Sequence, residues 1–510
     1  MLSDNDIYFL YKPFKNQLSK VNLFDSLFVI WAYINNIDRN KPLPAGFEKS
    51  SQFLYPDKVA KRRLIQEHHL EVLARELFVT SYVDIKEKTF QKWDYFAGTL
   101  GKLRELENIL DKEFLDKEKN NIYFHLIRLA NNQFPWQESN SLIDITRYYK
   151  IFNNKFINEL VKNKYGITYE KISIIGIILY GIFTENFTHT LPITSQIKNI
   201  DSSIINKFLE IFATDVKNMQ EKINGARKID KNFFYSRNPL RDFPLILTNY
   251  QGTNHLVCPI IQLFFWRITK GIFYLLVNEK GFDKNYGDSF EKYSIDVIRK
   301  ANKNEQIKFY KQKQYGKDCK RPVDLIIEDK TAMLFIECKT KRLPIKAMKS
   351  KKEFEAQLDI LVDGIIQIYK FYNDYKNNKY PYKKYNSRKP IYPILLTLEN
   401  WYMFGHYFVD MIDSKVKEKL VLSNLDAGLT DKMPISICSI AEFEQLVQII
   451  QNVSIDVLMN KKLFASDFRY WAFANFLANQ FMQDTDKCES LFDDELNIII
   501  NRYKNKKTTN

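Results

Sequence analysis

The sequence has 510 residues, of which 45% are hydrophobic and only 15 are glycine and 15 proline, a composition that argues against a disordered or fibrous protein. The formal net charge of +15 makes polyanions, nucleic acid first, the expected partners, although solvated lysine-rich surfaces give the same excess. Five widely spaced cysteines without a CxxC pair exclude a disulfide scaffold and a zinc ribbon, which fits a reducing compartment.

The chain shows no sequence signal for export or membrane insertion. Its first residues, MLSDNDIYFLYKPF, lack the basic segment followed by an apolar core that defines a signal peptide. The apolar stretch 172–183 is too short to span a bilayer, and the longer stretch 258–277 is interrupted by Arg267 and Lys270. We therefore expect a soluble cytoplasmic protein that makes no use of a membrane.

The first half of the chain is predicted to be helical. Apolar residues recur at three- and four-residue spacing over 59–83 and 95–115, which is the pattern of amphipathic helices. No catalytic motif is recognisable here, and His68 and His69 are predicted to have a surface or helix-capping role. Residues 1–235 are therefore expected to form a helical N-terminal domain that acts as a scaffold or binds a partner.

Beyond residue 235 the pattern changes to prolines and extended apolar segments, which marks a domain boundary. The expected elements, in chain order, are a helix over 260–277, a helix over 289–301, two strands within 321–342, a helix over 353–375, strands over 391–399 and 434–440, and a helix that ends near 450. This order predicts an α/β core with a mixed β-sheet flanked by helices over 236–450. Residues 451–510 are predicted to form C-terminal helices.

The stretch RPVDLIIEDKTAMLFIECKTKR (321–342) places acids where a buried strand is expected. Because side chains alternate along a strand, Phe335, Glu337 and Lys339 share one face. A turn over 328–331 would pair Asp324 with Phe335, which makes Asp324 a diagonal neighbour of Glu337 on that same face. The alignment depends on the length of the turn.

Two carboxylates at the end of a covered sheet repel each other and resist desolvation. A hard divalent cation removes both penalties, and Mg²⁺ is held in this way by one or two carboxylates together with waters and a phosphate. Lys339 points at the same place and can offset charge on a phosphodiester. The alternative is a hairpin in which the acids and the lysine simply pair at the edge of the sheet.

Asp324 on one strand and Glu337-x-Lys339 on the next resemble the PD-(D/E)XK nuclease superfamily, which has the restriction-endonuclease-like fold. The resemblance covers residues 290–400, and Val323 interrupts the literal proline–aspartate pair. It implies hydrolysis of phosphodiester bonds with Mg²⁺, for which Mn²⁺ can substitute. Asp324 and Glu337 would bind the metal, and Lys339 would position the attacking water.

The same resemblance implies two further site residues on helices. Glu291, on the helix before the hairpin, would complete the metal shell or orient a ligand. Gln367, on the helix after it, would face the site, with Gln357 as a weaker choice. The alternatives are a solvated helix residue for Glu291 and an ordinary surface amide for Gln367.

Two basic stretches flank the expected site and are candidates for binding a polymer of phosphates. The tyrosine loop (residues 377–389) interleaves basic residues with tyrosines that can stack on bases, although a solvated loop has the same composition. The basic segment (residues 341–352) follows the catalytic strand directly, and its expected phosphate-binding residues are Lys341, Arg342, Lys346, Lys349, Lys351 and Lys352.

The sequence thus predicts a Mg²⁺-dependent DNA endonuclease, with defence against foreign DNA as the setting that the family resemblance suggests. A homodimer or a partner protein of a defence system is expected, because one such site cuts one strand. A non-catalytic nucleic-acid-binding or assembly subunit of a defence complex is one alternative. An RNA-cleaving nuclease is another.

Overall fold

The computed structural model describes residues 2–84, 87–117, 122–138, 142–193, 200–250 and 252–503. The chain divides into a first unit, formed by residues 1–280 together with 492–510, and a second unit, residues 281–491. The second unit is therefore inserted, along the chain, between two segments of the first.

The first unit is mainly helical, as predicted, and also contains a small sheet. Its described helices are α1 (Asp4–Leu18), α2 (Leu23–Arg39), α3 (Lys58–Leu64), α4 (Glu67–Thr80), α5 (Trp93–Lys117), α6 (Ile122–Gln133), α7 (Leu142–Phe152), α8 (Lys155–Tyr165), α9 (Tyr169–Glu185), α10 (Ser202–Phe212), α11 (Val216–Ala226), α12 (Ile261–Ile268), α13 (Phe273–Leu276) and, at the C-terminal end, α23 (Asp493–Tyr503). Its strands are β1 (Thr188–Thr190), β2 (Ala213–Asp215), β3 (Leu245–Tyr250) and β4 (Thr253–Val257).

This sheet explains why the first unit extends to residue 280 and not to the boundary expected near 235. Its strand order is β1-β4-β3-β2, with β3 parallel to β2 and antiparallel to β4. The extended segments after residue 235 therefore complete a sheet whose other two strands come earlier in the chain. Residues 451–491, expected in a separate C-terminal segment, belong to the second unit.

Within the described part of the chain, no single helix is long and apolar enough to cross a bilayer. The helices α8 and α9 reach the required length and composition only when taken together, and they are bent by 79°.

The second unit is a mixed α/β domain, which confirms the predicted class. Its strands are β5 (Lys308–Lys311), β6 (Leu325–Glu328), β7 (Met333–Lys339), β8 (Ile391–Thr397) and β9 (Ser436–Ser439). Its described helices are α14 (Phe282–Ala301), α15 (Ile345–Lys349), α16 (Lys351–Lys376), α17 (His406–Leu422), α18 (Leu429–Lys432), α19 (Ile440–Ile449), α20 (Ile455–Phe464), α21 (Phe473–Gln480) and α22 (Met482–Thr485).

The five strands form one sheet in chain order, β5-β6-β7-β8-β9. The first three are antiparallel neighbours, whereas β7, β8 and β9 run parallel. Helix α16 is the crossover between β7 and β8 and packs on one face, where Phe335 lies 5.0 Å from Phe371 between ring centroids. Helix α14 contacts β7 as well, and β8 is buried along its whole length, so the centre of the sheet is covered on both faces.

The hairpin between β6 and β7 has a register shifted by two residues from the predicted one. Ile326, and not Asp324, pairs with Phe335. The cause is the turn, in which Asp329 accepts the N–H groups of Thr331 (2.7 Å) and Ala332 (2.8 Å) through one carboxylate oxygen. This side-chain-stabilised turn moves the centre of the hairpin one residue further along the chain than the predicted turn. A shift of two preserves which face each side chain occupies.

Candidate active site

The two acids of the hairpin meet at its open end. Because Leu325 pairs with Ile336, the next position brings Asp324 opposite Glu337 on the same face. Asp324 Oδ2 accepts the backbone N–H of Cys338 at 2.8 Å, which fixes this carboxyl against β7. The two residues are only 7% and 3% exposed, so both carboxyl groups are withdrawn from water.

Glu337 has one paired and one unpaired carboxylate oxygen. Its Oε1 accepts from Lys339 Nζ at 2.7 Å, whereas the buried Oε2 has no hydrogen-bond partner among the described residues. Burial and, after it, the charge of Asp324 together raise the pKa of Glu337 to about 8, against the opposing effect of Lys339. A buried oxygen of this kind is a ligand position that the protein itself does not fill.

Lys339 reaches the site by passing over a glycine of α16. A Cβ built on Gly364 would lie 2.7 Å from Lys339 Cε and 2.9 Å from Leu395 Cδ1, which is closer than real Cβ atoms approach such groups. Gly364 is therefore the residue that leaves room for the lysine stem. The sequence prediction missed it, although an isolated glycine inside a long helical pattern is a recognised signal for a packing constraint.

Glu291 of α14 belongs to the same cluster of charges. The pKa of its half-buried carboxyl is raised to about 7 by burial and then by the charges of Asp324 and Asp288, while Arg321 and Lys339 act in the opposite direction. The helix begins at Phe282, earlier than the predicted start at residue 289. The structure thus brings together the two hairpin acids and the lysine that the sequence singled out, and their charges reach the helix acid.

Arg321 is a second residue that the sequence prediction missed. It is exposed, and its charge lowers the pKa of Asp324, where burial acts in the opposite direction and predominates. No pattern in the sequence separates this arginine from the many other basic residues of the chain.

Gln367 lies beside the site without being joined to it. It follows Gly364 by three residues and precedes Phe371 by four, and both of those residues pack against β7, so Gln367 belongs to the stripe of α16 that faces this strand. Its half-buried side chain makes no hydrogen bond to the acids of the site among the described residues. Gln357 is also half-buried and lies closer to the start of the helix.

The donor set of this site is chemically suited to a hard divalent cation. Carboxylate oxygens are the protein ligands that Mg²⁺ prefers, and the site offers them from Asp324, Glu337 and Glu291. The observation that tests the fit is the buried Glu337 Oε2, which has no protein partner. The residues present are therefore compatible with Mg²⁺.

The basic segment after β7 is mostly exposed, with one exception. Arg342 is 8% exposed, donates to the hydroxyl of Tyr286 at 3.0 Å and forms an ion pair with Glu399 at 3.0 Å. Its guanidinium is occupied by these contacts within the protein, so Arg342 is not available to bind phosphate as predicted. The remaining members of the segment have exposed side chains: Lys341, Lys346, Lys349, Lys351 and Lys352.

The tyrosine loop lies at the opposite end of the hairpin from the acids. Lys383 and Lys389 both pair with Glu328, the last residue of β6, at 2.5 and 2.7 Å. Tyr380 is buried against Tyr315 and Phe371. Much of this loop is therefore bound to the core and does not flank the site as predicted.

Comparison with known proteins gives little further information. No protein-family model matches the sequence, and no curated protein matches it. Among solved structures, the chain is similar to the small subunit (R.BspD6I2) of the heterodimeric restriction endonuclease R.BspD6I, with 13% identity over 46% of this chain and 97% of that one. The TM-score of 0.18 is too low for this likeness to show a common fold.

Proposed function

We propose that this protein is a Mg²⁺-dependent endonuclease with a restriction-endonuclease-like core, which hydrolyses phosphodiester bonds in DNA and serves in defence against foreign DNA. One observation carries the proposal. Two hairpin carboxyl groups and a lysine meet at one end of a covered mixed sheet, their charges act on the carboxyl of Glu291, and among the described residues a buried oxygen of Glu337 has no protein partner.

The roles of the residues follow from their positions. Asp324, Glu337 and Glu291 would hold the metal ion, which when bound supplies positive charge to the phosphate during in-line displacement. Lys339, held by its ion pair with Glu337, would orient the attacking water through its ammonium group and offset charge on the phosphate. Gln367, on the stripe of α16 that faces β7, would donate its amide N–H to the substrate or the water.

A purely structural ion pair explains this arrangement less well. Lys339 pairs with one oxygen of Glu337, and among the described residues the buried second oxygen keeps no partner. Burying carboxyls that repel each other is unfavourable, and a structural hairpin gains nothing from retaining them. A metal site is stabilised by the same charge when the cation binds.

The decisive experiment is cleavage of supercoiled plasmid DNA in Mg²⁺ and in EDTA. Wild type is expected to nick or linearise the plasmid only with Mg²⁺, and Lys339→Ala to lose about 100-fold or more of this activity. Lys330→Ala is the matched control, because this exposed lysine lies in the turn at the far end of the same hairpin. It should cleave like wild type.

Other results of this experiment would support one of the alternative functions. Binding of plasmid, single-stranded DNA and RNA without cleavage of any of them would favour a nucleic-acid-binding or assembly subunit. Metal-dependent cleavage of RNA alone would keep the chemistry of the site and change the substrate. A lag between nicked and linear plasmid that shortens at higher protein concentration would support action as a homodimer.

A further inference from the structure

The first unit contains a second cluster of potential metal ligands that the nuclease proposal does not use. His68 and His69 of α4 are 3% and 1% exposed, so the predicted surface or capping role does not apply to either. Both face Glu107 of α5, which is 8% exposed. One ligand atom from each of the three residues lies within 4.8 Å of the others.

The contacts within this cluster are incomplete. His69 Nε2 lies 2.5 Å from Glu107 Oε2, which is a direct hydrogen bond, whereas His68 Nε2 is 3.6 Å from Glu107 Oε1. His68 Nε2 and Glu107 Oε1 are buried, and within the described part of the chain neither has a hydrogen-bond partner. Since buried polar atoms are normally satisfied, two adjacent unsatisfied atoms that face each other call for a ligand between them.

A further acid and a third histidine border the cluster. Asp111 follows Glu107 by one turn of α5, and its Oδ2 lies 3.7 Å from Nε2 of His125 on α6. Asp111 therefore borders the cluster and is not one of the three residues whose ligand atoms lie within 4.8 Å of one another. The nearby Arg128 makes a cation–π contact, in which its guanidinium lies 4.0 Å from the ring centroid of Tyr235.

We propose that His68, His69 and Glu107 bind a divalent transition-metal ion, with Zn²⁺ as the expected occupant, and that the ion ties α4 to α5. Two imidazole nitrogens with one carboxylate oxygen are a zinc ligand set, whereas Mg²⁺ and Ca²⁺ select oxygen donors. A water would supply the fourth ligand. The burial of the cluster makes this a structural site and not a second catalytic centre.

Binding requires a small local rearrangement and no net release of a proton. In the metal-free cluster the neutral His69 donates its Nε2–H to Glu107; when the ion takes Nε2, that hydrogen moves to Nδ1 and the imidazole stays neutral. Zinc–ligand distances of about 2.0–2.2 Å in a tetrahedral shell separate two ligand atoms by roughly 3.3 Å. The direct contact between His69 and Glu107 must therefore open by less than about 1 Å, which a side-chain rotation can provide.

The test is the metal content of the purified full chain, followed by titration of chelator-stripped protein with Co²⁺. We expect about one equivalent of zinc per chain, and for Co²⁺ a visible absorption of tetrahedral type that Zn²⁺ displaces. Asp324→Asn should retain the ion, which separates this site from the carboxyl cluster of the second unit. His189→Gln, a histidine of the same unit outside the cluster, should retain it as well.

The variants His69→Gln and Glu107→Gln should each weaken binding by about tenfold or more. Retention of the ion by both variants would overturn the proposal. If these variants fail to fold, the Co²⁺ titration of wild type and Asp324→Asn decides between a metal site and a metal-free network of buried side chains. Absence of a tetrahedral spectrum in both, with excess Co²⁺, would show that the cluster is a metal-free buried network.

Discussion

In the metal-free protein, ionisation of the buried Glu337 carboxyl group destabilises the folded state. Its pKa is raised from 4.5 to about 8 because ionisation occurs beside Asp324 and out of water. Between these two values the folded protein binds a proton that the unfolded chain releases. The free energy of unfolding therefore falls as the pH rises through this window.

Glu337→Gln is expected to stabilise the metal-free protein while abolishing cleavage. In EDTA at pH 9 the free energy of unfolding should rise by on the order of 1–3 kcal/mol, since the neutral amide removes the buried charge. Near pH 5 the gain should almost disappear, because wild type is then protonated at this position. Urea unfolding at the two pH values measures the difference, and a variant that is less stable than wild type at pH 9 would contradict it.

Magnesium binding should compete with protons at the same residues. The pKa values of about 8 for Glu337 and about 7 for Glu291 mean that the ion displaces protons at neutral pH. The Mg²⁺ concentration for half-maximal cleavage should fall from pH 6 to pH 8, by up to about tenfold per pH unit for each proton displaced. Glu291→Gln should make this dependence less steep. A half-maximal concentration that does not change with pH would contradict the assignment of these ligands.

At the scale of single elements, α16 determines where Lys339 can point. The helix crosses between two parallel strands, and Gly364 is the residue that leaves space for the lysine stem at that level. Glycine is a poor residue inside a helix, by about 1 kcal/mol relative to alanine. Its presence here reduces the stability of the helix but leaves space for Lys339 beside β7.

Gly364→Ala should impair cleavage without unfolding the protein. The new methyl group displaces the flexible end of Lys339 and a methyl of Leu395, while the helix gains about 1 kcal/mol of intrinsic preference. We expect kcat to fall about tenfold or more and KM for DNA to stay unchanged, because only the positioned ammonium moves. Gly287→Ala in α14 is the control, since nothing lies within 4 Å of its Cβ. Equal kcat for the two variants would refute this role.

The same elements show what the sequence can and cannot predict. Alternation of apolar and polar residues was sufficient to place Glu337 and Lys339 on one face of a covered strand. The register was wrong by two residues because the turn is organised by the side chain of Asp329, whose hydrogen bonds no periodicity reveals. Asp324 still lies on the same face as Glu337 because a shift of two does not change the face.

At the scale of the whole molecule, the net charge of +15 is distributed unevenly around the proposed site. The basic segment follows the catalytic end of β7 and is mostly exposed, whereas lysines of the tyrosine loop pair with Glu328 at the other end of the hairpin. Binding of phosphates is therefore expected from the first stretch and not from the second.

Replacing Lys349 and Lys352 together by glutamine should weaken DNA binding and reduce its salt dependence. The slope of log Kd against log salt should decrease by about 0.9 for each phosphate that is no longer neutralised, so by about 2 for the pair. The double substitution of Lys330 and Lys384, which are exposed at the other end of the hairpin, removes the same charge and serves as control. Equal changes in slope would show that only net charge matters.

The domain boundary and the histidine cluster were not predicted because both depend on contacts between residues far apart in the sequence. The boundary near residue 235 was displaced because β3 and β4 pair with strands from earlier in the chain. The cluster of His68 and His69 was missed because Glu107 comes from another helix, 38 residues after His69. Neither pairing leaves a periodic signal, since each depends on how separate elements pack.

The insertion of the second unit within the first also constrains the order of events during protein synthesis. Helix α23 belongs to the first unit, where Glu495 pairs with Lys150 at 2.7 Å and Phe492 is buried. The ribosome therefore synthesises residues 281–491 before the first unit acquires its last helix. The second unit has all of its residues available earlier. Until translation passes residue 503, the surface that α23 covers on α7 stays uncovered.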